Sequence, residues 1–513
     1  MNTFLAATPL LLILVLMVGF RWGGSKAGAV GWAAALVIAA LFFGVGPQVL
    51  LWAQIEGFFR AAYVLYIIWG ALLFFRVTEA DGTLEAVSDT LQRLAPGHIL
   101  QVLLLAYGFT SFLQGVGGFG VPVAVVAPIL VTMGFSAVNA VVTASLGLAW
   151  AVSFGSLGAS YEALISATEL EGAVVAPWMA LTLSLVCVAA GAVVLWVASG
   201  GKPPRREIGP VLSMALVMSA VQYGVVRLGV ENIAAMLGAL AGLIVGGGWA
   251  LLRRRRVPKA ERRAVRWRQV PARMLPYVLL ITIIFAVNFI PFLNQALNQW
   301  VVQFRVPALA LHDGTVIPAT QTKSISIFGH PGAQLIYTAI ITILIAKLRG
   351  NLPQGSAAKI RRGVLRSGTK STLGILAMMA MATTMQLAGM VSELSRTMAA
   401  FAGQLFPLMA PFIGALGAFM TGSNTNSNVL LGAFQLQVAQ ALKLFVPFII
   451  ALHNAGAAVG SVFSPAKIIV GCSTVGLSGQ ESDALRRTTL YGLIMLSLLA
   501  ALGLIVIRLE LLP

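Results

Sequence analysis

Apolar stretches of about twenty residues recur along this chain, joined by short polar segments. That length crosses a bilayer as a helix. Representative stretches are 5–20, 27–45, 61–75, 99–113, 178–198, 208–226, 232–252, 274–292, 335–347, 371–390, 444–460 and 488–507. Hydropathy windows predict about 12 to 14 crossings, half-crossings included. The pattern predicts an all-α polytopic membrane protein. Met1–Phe20 has no basic start and no clear cleavage site before Arg21, so it reads as a first membrane helix rather than a cleaved signal.

Two places break the pattern. Near residue 423 the apolar run gives way to Ser423-Asn424-Thr425-Asn426-Ser427-Asn428, then resumes at once. Earlier, Gly115-Val116-Gly117-Gly118-Phe119-Gly120 is closed by Pro122. Non-helical backbone at membrane depth is tolerated only where protein buries it or where it lines a watery cavity. Interrupted segments therefore point to a transporter's binding site.

The two breaks echo each other. Phe112–Gly115 and Phe419–Gly422 match in character at an offset of 307 residues. The same offset carries the Gly/Ser-broken segment 149–158 onto 456–465. This predicts two inverted repeats, each with a re-entrant hairpin and a broken helix, and a site between them near the midplane. The expected organisation is a transmembrane half 1–252, a basic loop 253–273 and a second half 274–513.

Charge refines this picture by its placement. Of the 513 residues 58% are hydrophobic and 10% charged, well below the share of about 25% in soluble proteins. The net charge of +18 is concentrated in 253–273, in 347–370 and around Lys202, Arg205 and Arg206. These read as cytoplasmic loops obeying the positive-inside rule, not as a nucleic-acid-binding arm. Cys187 and Cys472 are too few for a disulfide framework or a metal site.

The candidate binding residues follow from the breaks. Gly117, Gly118 and Gly120 let the chain turn tightly and a ligand approach the backbone. Gln114 precedes them and Phe119 lies among them. The run Ser423–Asn428 offers donors and acceptors, and a half-helix starting there would direct partly positive N–H groups at an anion. Asn454, Ser461, Ser464 and Lys467 lie in the second broken segment, where a charge at bilayer depth costs about 2.5–3.5 kcal/mol and signals function. His453 beside them is the candidate for proton coupling. The acidic clusters Glu79/Asp81/Glu85/Asp89 and Glu162/Glu169/Glu171 read as loop or helix-end charges. No zinc motif or nucleophile elbow is present, so no catalytic or metal-ligating residue is assigned. His312-Asp313 is a lone pair without a nucleophile.

Three stretches carry a resemblance: FLQGVGGFGVPVAVVAPILVTMGF (112–135), FMTGSNTNSNVLLGAFQ (419–435) and SPAKIIVGCSTVGLSGQESDALRRT (464–488). They resemble the L-lactate permease family of bacterial inner-membrane transporters, over most of the chain. The resemblance implies import of lactate, glycolate or related 2-hydroxycarboxylates with protons, sodium being the alternative ion, and no cofactor. It also implies a lipid-embedded homodimer of the wider ion-transporter superfamily, with alternating access. This chain departs from the family pattern. Typical members carry Glu at 114, Asp at 424 and Lys at 461, where this chain has Gln114, Asn424 and Ser461. Losing the carboxylates removes proton carriers and makes the site more positive. A more highly charged anion, such as a sulfonate or dicarboxylate, is then an alternative substrate. An anion channel on the same scaffold is the other alternative. His453 or Lys467 is expected to supply the site's titratable or cationic group.

Overall fold

The computed structural model describes residues 2–508 apart from 21, 119, 257, 259–269, 311–315, 318 and 351. Most of the predicted basic loop 253–273, the pair 312–313 and Phe119 therefore lie outside the described residues. Helices dominate. Among the described residues, 11 are long and apolar enough to span a membrane, and shorter apolar helices accompany them.

The first half runs α1 (Asn2–Leu14), α2 (Gly24–Phe42), the long α3 (Pro47–Ala80) and the amphipathic α4 (Thr83–Leu94). The next arm is α5 (His98–Val102), a π-helical stretch Leu103–Phe109, and α6 (Thr110–Val116). The chain turns at 117–120 and returns as α7 (Val121–Thr132). A broken helix follows, α8 (Ala137–Gly147) and α9 (Ala159–Thr168), then α10 (Gly172–Ala198). Next come α11 (Arg205–Arg227) and α12 (Ala234–Arg254); α13 (Val270–Phe289) and α14 (Pro291–Leu297) then lead into the second half.

The second half repeats this order. It comprises α15 (Pro331–Leu348), α16 (Ser356–Leu387) and α17 (Met390–Ala402). A hairpin of α18 (Phe406–Thr421) and α19 (Asn424–Ala441) follows, then a broken helix of α20 (Val446–Val462) and α21 (Pro465–Thr474), and finally α22 (Ser482–Arg508). Lengths match pairwise: 34 and 32 residues for α3 and α16, 12 and 13 for α4 and α17, 27 each for α10 and α22. The internal echo of the sequence is thus an echo of elements, with α11 and α12 standing between the repeats.

The repeats are inverted. Arg273 Nη1 donates to the Asp81 carbonyl at 2.5 Å, and Arg254 Nη1 to the Arg93 carbonyl at 2.8 Å. These bonds fix α4 and the mouth of the first hairpin on the side of the basic loops, the cytoplasmic side by the positive-inside rule. Counting crossings onward puts the mouth of the second hairpin on the opposite face. α3 and α16, one from each repeat, pack against each other.

One element was absent from the sequence reading. Between α14 and α15, six two-residue strands pair as a nested antiparallel ladder: β1 (Val301–Val302) with β6 (Ile325–Ser326), β2 (Arg305–Val306) with β5 (Thr320–Gln321), and β3 (Leu309–Ala310) with β4 (Val316–Ile317). Each strand is too short to show a period of two, so no pattern announced it.

Candidate functional site

The first break spans 148–158. Ser156 and Leu157 take left-handed backbone angles, φ 49° and 55°, which non-glycine residues rarely adopt. Their N–H groups donate to the carbonyls of Gln114 and Gly115, at 2.8 and 3.0 Å. Those carbonyls belong to the last turn of α6 and have no acceptor role left inside that helix. The strained pair therefore caps the first hairpin's arm. Gly118, φ 53°, lies so close to Ser156 Oγ that a Cβ there would overlap it. Gly155 sits against the Gln114 side chain in the same way.

The second hairpin's tip reaches the same break. Gly422, φ 69°, ends α18, and Ser423 caps α19 by accepting from the Asn426 N–H at 3.3 Å. Asn424 Nδ2 donates to Ser153 Oγ at 3.3 Å. Thr425 and Ser160 share a hydroxyl–hydroxyl bond of 2.8 Å, and Asn428 Nδ2 donates to the Ser160 carbonyl at 2.8 Å. Both tips thus meet the first broken helix. Asn424 Oδ1 and Asn428 Oδ1 are buried without a partner.

The second break is short: Phe463 and Ser464, then Pro465 in the first turn of α21, where a missing N–H costs nothing. A Cβ at Gly422 would touch Ala466 and come within 3.7 Å of Ser464 Oγ. Lys467, in the first turn of α21, donates from Nζ to Ser461 Oγ at 3.0 Å. Gly120 faces Val470 on the same half-helix. So α7, α9, α19 and α21 start at the junction of tips and breaks. Helix N-termini carry partial positive charge and free N–H donors. With Lys467 beside them, the junction suits a small anion.

Other expected residues are placed differently. Gly117 packs on the Phe75 ring. Ser427 Oγ donates to the Gly414 carbonyl of α18 at 2.7 Å, and the Asn426 side chain lies toward Gly24 in α2. His453 and Asn454 sit deep in α20, with the His453 carbonyl pressed against Gly414. Both ring nitrogens of His453 and both amide atoms of Asn454 lack protein partners.

The sequence reading missed a cluster where the ladder segment meets α3. Glu162 stands in the first turn of α9, as its reading as a helix-end charge implied, and lies near Tyr63 of α3, Glu231 and Lys323. Lys323 lies in the ladder segment, over the Tyr63 ring at 4.7 Å. His330 stacks on Tyr66, and the Tyr66 hydroxyl donates to the Ile327 carbonyl at 2.8 Å, docking the segment on α3. Burial pulls the Lys323 ammonium below its usual range, and Glu162 opposes that shift. Burial, then Lys323, holds His330 down to about 3, so its ring is neutral. Nearby, the buried Arg60 pairs with Glu56 and Glu169. An acid in the apolar half-helix ASYEALISAT was the signal available.

Inverted repeats, paired hairpins and a polar junction among half-helices define a multi-pass membrane transporter. The family model described as L-lactate permease matches residues 2–510, and the chain belongs to that family. It is similar to an L-lactate permease of Streptococcus iniae, 26% identical over 89% of this chain and 94% of that protein. It is also similar to L-lactate permeases of Bacillus subtilis (25%; 97% and 94%) and Escherichia coli (24%; 96% and 94%). Among solved structures it aligns with the YdaH transporter of Alcanivorax borkumensis, with a TM-score of 0.45 and 14% identity over 86% of this chain and 85% of that one.

Proposed function

We propose that this protein imports small organic anions, lactate and related 2-hydroxycarboxylates foremost, across a bacterial inner membrane in symport with protons. One observation carries the reading: four helix N-termini and Lys467 meet at a junction whose nearest side chains are serines, threonine and asparagines. A carboxylate there would accept from backbone N–H groups, and a 2-hydroxyl would answer the unpartnered Asn424 Oδ1 or Asn428 Oδ1. Two hairpins entering from opposite faces give each side of the membrane a route to the junction.

A second reading is favoured by the residues at the tips. Gln114 and Asn424 are neutral and Lys467 is a cation, so a sulfonate or dicarboxylate would be held as well. Purified protein in proteoliposomes tests both. Labelled L-lactate should accumulate under an inward proton gradient and exchange with internal lactate. Competition with glycolate, a dicarboxylate and a sulfonated hydroxy acid ranks the two readings. Neither uptake nor exchange across that panel would overturn both. Large single-channel currents without saturable exchange would make the protein a channel.

A further inference from the structure

We propose that the Arg60–Glu169 ion pair is a latch. It holds α9 in one of the two positions that α9 takes during transport, and only the first repeat carries it. The inference rests on the reading of the protein as a transporter with alternating access.

Arg60 is buried well inside α3. Its Nη2 pairs with Glu56, one turn earlier on α3, and with Glu169, the residue that ends α9. Its Nη1 lies 3.5 Å from the Ala167 carbonyl in the last turn of α9 and 3.4 Å from Gln386 Oε1 on α16. A cation at a helix C-terminus meets the free carbonyls and the partial negative charge there. One guanidinium therefore ties the far end of α9 to α3 and α16, the two helices through which the repeats pack. The near end of α9 carries Ser160, which holds Thr425 and Asn428 of the second hairpin. Gly432 of that hairpin lies against Leu164 and Thr168. So α9 belongs with the hairpin tips, and Arg60 belongs to the frame behind them.

Three observations set this contact apart from ordinary packing. Glu169 has φ 57°, a left-handed angle. At the offset of 307 residues the second repeat has Gly476, φ 78°, and glycine adopts that angle without strain. The first repeat thus bears strain to keep a carboxylate where glycine would serve. At the same offset Arg60 and Glu56 fall on Ser367 and Gly363, so the second repeat has neither the cation nor its acids. Finally, the Glu169 side chain is 61% exposed while that of Arg60 is buried. A carboxylate that water can take up is the partner able to let go. Glu56, on the same helix as Arg60, keeps the buried guanidinium paired when that happens. Alternating access rocks one bundle against the other around the site. The latch weights that equilibrium toward the position seen here, and the counterpart residues of the second repeat cannot weight the other.

Spin labels test this. Leu51→Cys on α3 and Glu171→Cys just beyond α9, with Cys187→Ser and Cys472→Ser, report the separation by double electron–electron resonance. With the latch intact, one dominant distance and a minor second one are expected. Glu169→Gly removes the carboxylate and the strain, while Glu169→Gln removes only the charge. Both should fold, and both should lower the ratio of the dominant to the minor distance about threefold, the scale of a partly exposed ion pair. A shift in Glu169→Gly alone would assign the effect to strain and overturn the latch. Distances unchanged in both variants would overturn it too, and so would a Glu169→Gly protein that fails to fold, since the pair would then be a structural strut. Labelled L-lactate exchange by the wild type in proteoliposomes reads the underlying function separately. Its absence would sink the proposed function, whereas unchanged distances in a protein that exchanges would sink the latch alone.

Discussion

The two broken helices fill the same place in their repeats by different means. The first opens over eleven residues, 148–158, and closes its gap with backbone. Two left-handed residues turn their N–H groups onto the carbonyls of α6, and serine and threonine hydroxyls meet the opposite hairpin. The second opens over only two residues, with a proline to restart the helix and a lysine in its first turn. The first break is rigid and neutral, a scaffold on which both hairpin tips rest. The second carries the junction's cation. Repeats that share topology have divided the work between shape and charge.

That division can be broken in four ways. Gly118→Ala should have the largest effect. Its φ of 53° is strained for alanine and the new Cβ would overlap Ser156 Oγ. A cost on the order of 1–3 kcal/mol at the tip should cut L-lactate uptake roughly tenfold or more. Normal uptake would mean that the first break is not the rigid partner.

Lys467→Met comes next. Loss of the cation should raise KM for L-lactate roughly tenfold, about 1.4 kcal/mol, with expression unchanged. It should penalise dicarboxylate competitors more than monocarboxylates. An unchanged KM would leave the anion to backbone dipoles alone, and the two breaks would then be alike.

Ser160→Ala removes one hydroxyl partner of Thr425 and leaves the Asn428 bond to the backbone. A single neutral hydrogen bond contributes about 1 kcal/mol, so uptake should fall only a few-fold. A loss as large as that of Gly118→Ala would show that hydroxyls, not backbone, make the first break.

The smallest effect is expected from His453→Gln. At the offset of 307 residues the first half has Leu146. If His453 fills core space in α20, proton-driven accumulation should keep its wild-type pH profile. Loss of pH dependence would make His453 the coupling group.

Much of this was legible in the chain. Crossings could be read from apolar length, because a bilayer demands it. The side of each loop followed from the placement of arginines and lysines. The hairpins and breaks showed themselves at Gly118, Gly422 and Pro465; the run 423–428, expected to be non-helical, is helical from Asn424 onward, because Ser423 caps α19. Other features had no local signature. Asn426 and Ser427 are chemically equivalent to their neighbours, and only helical phase turned them toward α2 and α18. The ladder strands were too short for periodicity. Glu162 is the helix-end charge that the sequence indicated, in the first turn of α9, but its neighbours lie on other elements and had no local signature.

The sequence alone therefore determined that the protein spans a membrane, where its helices break and to which family it belongs. Those properties depend on length, charge and local backbone preference, which are carried by neighbouring residues. The tertiary structure decided which break meets which tip, that Lys467 stands among four helix N-termini, and that Lys323 of the ladder segment lies over the Tyr63 ring. Such pairings join residues from about forty to more than two hundred and fifty positions apart, and their energy comes from packing that no local pattern records.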